Sequence, residues 1–199
     1  MPRVVAGYKE EARRTILETA AEVFAEKGYS EAKMDDVAKQ LGVSKGAVYQ
    51  YFDSKDELFQ ELCGAAAKMV EERLRASFTG NDLRKAAERY MDTELDRFGK
   101  RGILMFEVLA QSPRNQEMNK LIRGNYRTVL EVMTRFLESL KKSGSLKQDM
   151  DSDAAAELLI ALRHGVLATV LMGVGREDAK RVWMNGFEAV LGPHMPSRR

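Results

Sequence analysis

The stretch "SKGAVYQY", Ser44–Tyr51, gathers side chains that suit a polyanion. Lys45 carries a charge that can neutralise a phosphate or reach a guanine edge. Gln50 has the amide fork that matches adenine, or else it is an exposed helix residue. Tyr49 and Tyr51 each pair a ring that packs with a hydroxyl that bonds a phosphate oxygen. Ser44 is placed to cap a helix and to meet a phosphate. Gly46 and Ala47 leave that helix almost bare. A glycine there costs about 1 kcal/mol against Ala, and its gain is close approach of the backbone to a neighbour. Lys55 opens the following helix, where an ammonium and free N–H groups suit an anion. Lys33, just upstream, is either a further phosphate contact or a solvated lysine.

Such residues work only if helices aim them. Ala12, Ile16, Ala20, Val23 and Phe24 recur at helical spacing and predict a first helix over 8–27, stopped by Gly28. A short helix is expected over 34–41, a turn at Gly42 and Val43, and a third helix from the Ser44 cap to about Tyr51. Val37, Leu41, Val43 and Val48 fill the apolar slots of a helix-turn-helix, Ala38 fills the small crossing slot, and Gly42 fills the turn. In that geometry the second helix of the pair enters the major groove. Ser54 and Glu57 form a capping box that starts a long helix reaching about Phe78.

The texts "ILETAAEVFAEKGY", "MDDVAKQLGVSKGAVYQYF" and "SKDELF", in that order, resemble the TetR (tetracycline-repressor) type of transcriptional regulator. The resemblance covers about residues 10–60. It implies an all-α, Ω-shaped homodimer of about nine helices per chain, with an N-terminal DNA-binding domain at 1–53. A ligand-binding and dimerisation domain follows at 54–199, with 54–79 as the connecting helix. It further implies a repressor that binds a palindromic operator on double-stranded DNA and is released by a small molecule. In one respect the chain departs from the pattern. Ala32 and Lys33 stand where the resembled family carries a capping Ser or Thr, so the second helix is expected to fray, with Lys33 as an ionic substitute. Arg3 in "MPRVV" is either a minor-groove arm or part of a tail.

After residue 81 the pattern predicts longer helices: 82–98, a break at "GKRG", 103–111, 117–142, one through Met172, and 177–191. On the helices that line the pocket in the resembled family lie Tyr90, Phe98, Met105, Phe106, Leu109, Tyr126, Met133 and Phe136. Each is either pocket wall or plain core. His164 is a pocket polar group or a packed histidine. The effector expected is apolar or amphipathic. Ala161, Gly165, Thr169 and Gly173 are spaced four apart, with Leu158 and Leu162 on adjacent rows. This is a stripe that lets another helix approach. Trp183 and Phe187 are the expected interface anchors of a homodimer built as a four-helix bundle.

Composition narrows the classes. The net charge is +2, and the first 80 residues hold 12 Lys/Arg against 14 Asp/Glu, so a sequence-independent DNA coat is disfavoured. One cysteine, Cys63, forbids an intrachain disulfide and fits a cytoplasmic setting. No metal spacing, phosphate loop, nucleophile elbow or Cys/His pairing is present, so no enzyme, cofactor or metal is expected. The apolar run Leu158–Gly175 approaches spanning length but carries Arg163 and His164 near its centre, which argues for a bundle helix and no membrane.

Overall fold

The computed structural model describes residues 6–80 and 82–195, and Arg3 lies outside them. The elements are α1 (Ala6–Lys27), α2 (Met34–Leu41), α3 (Lys45–Tyr49), α4 (Lys55–Ser77), α5 (Leu83–Gln111), α6 (Gln116–Lys142), α7 (Ser152–Leu171) and α8 (Arg176–Leu191). Two single-turn 3-10 segments, Ser112–Arg114 and Gly192–His194, follow α5 and α8. The described chain is all-α. The break expected at "GKRG" is a kink rather than a gap. Gly99 leaves helical geometry inside α5, so α5 is two helical arms and the count reaches nine.

By internal contacts the chain divides into two units, Met1–Ala65 with Lys100–Ile122, and Ala66–Gly99 with Arg123–Arg199. The first unit closes around Ile16, Phe24, Tyr29, Val37, Val48, Phe52, Leu58 and Phe59. The rings of Phe24, Tyr29 and Phe59 meet with centroids 4.7–6.0 Å apart. The second half of α5 takes part in this unit. Glu107 Oε1 accepts the Tyr29 N–H at 3.1 Å, and Gln111 accepts from Ser30 at 2.8 Å, which fixes the loop between α1 and α2. Gly28 tolerates its φ of +78° there, and any Cβ would fall 2.6 Å from Glu107 Oε1.

The second unit packs α4, α5, α6, α7 and α8 around Tyr90, Met91, Leu137, Leu159, Trp183 and Phe187. α7 and α8 approach closely because α8 has a glycine at the crossing. A Cβ on Gly186 would lie 2.5 Å from Leu162 Cδ2. α7 is long and apolar enough to cross a membrane by length and composition. It buries Ala155, Ala156, Leu159, Ile160, Val166 and Leu167 against the unit's core.

Candidate DNA-reading surface and effector cavity

The short α3 is held by its buried Val48 and by Ser44, whose Oγ accepts the Ala47 N–H at 3.3 Å. Gly42 ends α2 in the left-handed region at φ 69°, turning the chain toward α3. Around this anchor Ser44, Lys45, Gly46, Tyr49 and Gln50 face solvent, and Ala47 is half-exposed. Tyr49 keeps 39% of its surface exposed. Lys45 Nζ sits 2.7 Å from Asp35 Oδ1, and this pair raises the Lys45 pKa. A Cβ on Gly46 would meet only Ser44 Oγ, at 4.0 Å, so nothing inside the protein requires a glycine there. Tyr51 is less available. It is half-buried, and its carbonyl accepts from Arg13 Nη1 at 2.7 Å. Arg13 also stacks on Phe52 and pairs with Glu61, tying α1 to α4.

Two expectations need correction. Lys55 does not project freely toward an anion. Its Nζ donates to the carbonyls of Tyr29 and Ser30, at 2.8 and 3.2 Å, and lies 4.5 Å above the Tyr29 ring. α2 does not begin without a cap. Asp36, its third residue, accepts the Lys33 N–H at 2.9 Å and is held from behind by Lys27 at 2.5 Å. The bonds from Lys27 and Lys33 hold the Asp36 carboxyl below its ordinary range. The Lys33 side chain stays exposed beside this cap. The signal in the sequence was an acidic residue in the first turn, which reaches back as half of a capping box.

In the second unit an apolar cavity is lined by Leu74, Phe78, Leu137, Leu159, Phe187 and Leu191, together with Tyr90, Met133, Phe136 and Trp183. It holds about one water-sized sphere. Of the residues expected to line a pocket, Tyr90, Met133 and Phe136 lie on this cavity's wall. Phe98 is buried but is not among the lining residues, and Tyr126 is 40% exposed. Met105, Phe106 and Leu109 belong to the other unit, with Leu109 facing solvent. Sequence reasoning missed Leu74, Phe78 and Leu159, which read as ordinary stripe residues of their helices.

His164 lies beside Arg163, and burial with that neighbouring charge pushes its pKa down to about 4. It is neutral at ordinary pH. Burial raises the Cys63 thiol to about 11, so the thiolate needed for redox chemistry is scarce. No group of three or more metal-ligating side chains occurs among the described residues.

The expected interface residues separate into two sets. Leu158, Ala161, Gly165 and Gly173 are exposed on the protomer, while Leu162 and Thr169 are half-buried. Leu158 is 56% exposed and Met172, just beyond α7, is 75% exposed. Trp183 and Phe187 are core residues and not interface anchors, at 3% and 1% exposure. The Trp183 indole N–H donates to the Ala87 carbonyl at 2.9 Å, and its ring packs between Tyr90 and Phe187. Burying an aromatic body while satisfying its polar edge is what a core position asks of Trp.

Comparison with known proteins adds independent findings. The family model for bacterial regulatory proteins of the tetR family matches residues 16–62. The model for the C-terminal region of BetI-type transcriptional repressors matches residues 81–192. The HTH-type transcriptional regulator UidR of Escherichia coli is 26% identical over 183 residues, covering 90% of this chain and 91% of that protein. Salmonella enterica GusR superposes with a TM-score of 0.77 at 21% identity, covering 96% of this chain and 100% of GusR. A protein from Saccharomonospora viridis in complex with choline superposes at 0.69 with 27% identity, covering 90% and 96%.

Proposed function

The chain belongs to the TetR family of bacterial regulators, and from that premise we propose a ligand-released repressor that grips a palindromic operator as a homodimer. It is a DNA-binding transcriptional regulator. The observation that carries the finer reading is Gly46. It lies on an exposed helix with open space around its missing side chain, so the need for a bare backbone comes from outside the protein. Lys45, Tyr49, Gln50 and Ser44 surround it with groups that meet phosphates and base edges. Lys33 adds a charge at the start of α2.

Release requires a path from the second unit to the first. The chain passes between the units three times, within α4, α5 and α6, and each passage has a glycine within two residues: Gly64, Gly99 and Gly124. None of the three has an atom within 4 Å of where its Cβ would stand. α4 runs as helix through Gly64, whereas α5 is bent at Gly99. An effector in the second unit that favours one tilt of α4 changes the spacing of the two α3 helices in a dimer. Operators fix that spacing near one helical turn, about 34–36 Å, or multiples of it. An apolar or amphipathic effector suits a cavity walled by Phe78, Tyr90, Phe136 and Trp183. The exposed apolar row on α7, with Leu158, Ala161, Gly165 and Leu171, continued by Met172 just beyond it, suits a second copy of the chain.

A gel-shift titration against DNA from upstream of the protein's own gene tests the reading, with native mass spectrometry reporting the stoichiometry. Two protomers on a short palindrome, with affinity falling steeply as salt rises, is the expected result. Equal binding to any duplex overturns the repressor reading.

A further inference from the structure

Arg73 on α4, Glu94 on α5 and Arg163 on α7 meet inside the second unit, although 21 and 69 residues separate the arginines from Glu94 in the chain. Arg73 Nη1 donates to Glu94 Oε1, and Arg163 Nε donates to Glu94 Oε2, both at 2.5 Å. Glu94 is 3% exposed, and the arginine side chains are 16% and 17% exposed. Both oxygens of the single carboxylate are thus engaged, and two positive charges face one negative charge. An uncompensated buried charge is costly, and a guanidinium brings more donors than one carboxylate can absorb.

The polar atoms record the same imbalance. Among the described residues, the buried side-chain polar atoms with no partner are Arg73 Nε, Tyr90 Oη and Asn125 Oδ1. Two of the three belong to this cluster. The Tyr90 hydroxyl lies beside Arg163, whose charge and weak polar contact oppose the rise in its pKa that burial causes. The other charges that reach it are Glu94 and Arg73. The cluster therefore holds surplus donors and lacks an acceptor. Tyr90 is also a wall of the apolar cavity, so this one residue belongs both to the cavity and to the charged cluster.

We propose that the effector is an amphipathic organic acid, whose aromatic or alkyl body enters the cavity and whose carboxylate lies between Arg73, Arg163 and the Tyr90 hydroxyl. This rests on reading the second unit as the effector domain. The anion supplies the missing charge and the missing acceptors at once. Charge-assisted bonds to a guanidinium are about twice as strong as neutral ones, so the acid outbinds an uncharged compound of the same shape. The cavity has room for about one water-sized sphere, so the body of the acid has to part its walls. Two of those wall residues, Leu74 and Phe78, and Arg73 of the cluster lie on or just after α4, the helix that begins in the first unit.

The test is calorimetry on the full-length protein with matched pairs: 3-phenylpropionate, 4-phenylbutyrate and 5-phenylvalerate against the corresponding phenylalkanols. The expected result is a preference of about tenfold or more for at least one acid over its alcohol. Arg73→Gln leaves Glu94 and Arg163 as a balanced pair and should abolish the preference, while Arg73→Lys keeps the charge and part of the preference. The wild-type comparison stands by itself if either variant folds poorly. Equal affinity for acid and alcohol, binding of none of the probes up to millimolar concentration, or a preference that persists in a folded Arg73→Gln protein overturns the proposal. The gel shift separates the two readings. Sequence-specific DNA binding without an acid preference defeats this inference alone, and loss of sequence-specific binding defeats the regulator mechanism beneath it.

Discussion

The reading unit and the second unit both contain lysine or arginine paired with a carboxylate, yet the pairs have opposite consequences. Lys45 and Asp35 remain 58% and 59% exposed, where water screens their attraction. Arg73, Glu94 and Arg163 are largely buried, where water replaces a lost partner poorly. The comparison teaches that placement, and not composition, sets what it costs to break a charged pair. The first region should keep its fold when its charges change, whereas the second should not survive loss of its shared carboxylate intact.

The largest effect expected from this contrast is Glu94→Gln. Removing the only carboxylate leaves two buried guanidinium groups facing each other and should destabilise the protein by about 3–5 kcal/mol. Urea unfolding measures it, and a loss under 1 kcal/mol would mean that water reaches the cluster. Next is the pH response of His164. Its folded pKa of about 4 lies below the ordinary 6.5, so between those values the unfolded chain takes up a proton that the folded chain refuses. Stability should therefore fall as pH drops from about 6.5 toward 4, by about 3 kcal/mol in full. Thermal unfolding across that range checks it, with His164→Asn removing most of the slope.

The reading unit should answer differently. Gly46→Leu places a side chain in open space on an exposed helix, so unfolding should be unchanged or slightly harder. Operator affinity should fall about tenfold or more, because the backbone no longer reaches the groove. A fold lost along with binding would break the contrast. Smallest is Lys45→Gln. It should leave unfolding intact, weaken operator binding several-fold, and reduce the salt slope by about 0.9. An unchanged slope in filter binding would place Lys45 away from phosphate.

Much of the fold could be read from the sequence because its signals are local. α2 falls on the expected residues, and α1, α4, α6, α7 and α8 begin and end within two residues of expectation. Caps such as Ser44, and Asp151, whose carboxylate accepts the Asp153 and Ala154 N–H groups at the start of α7, act over three or four residues, as do stops such as Gly28 and Gly42, the same range in which a sequence is read. The Asp36 cap is equally local, but it comes from the third residue of α2 and not from the N-cap position where a hydroxyl is expected. The site was less legible. Trp183 and Phe187 carry the apolar bulk that both a core and an interface demand, and only the packing of α8 against α5 and α7 distinguishes the two.

The sequence by itself determined the helix order, the helix-turn-helix with its bare Gly46, and the family, since each depends on spacing within a single helix or turn. Tertiary structure decided which side of each long helix is inside. It pinned Lys55 to the carbonyls of Tyr29 and Ser30, and moved Trp183 from an interface to a core. It also brought Arg73, Glu94 and Arg163 from three helices to one buried point. Burial and charge balance are sums over neighbours far apart in the chain, and no local pattern contains them.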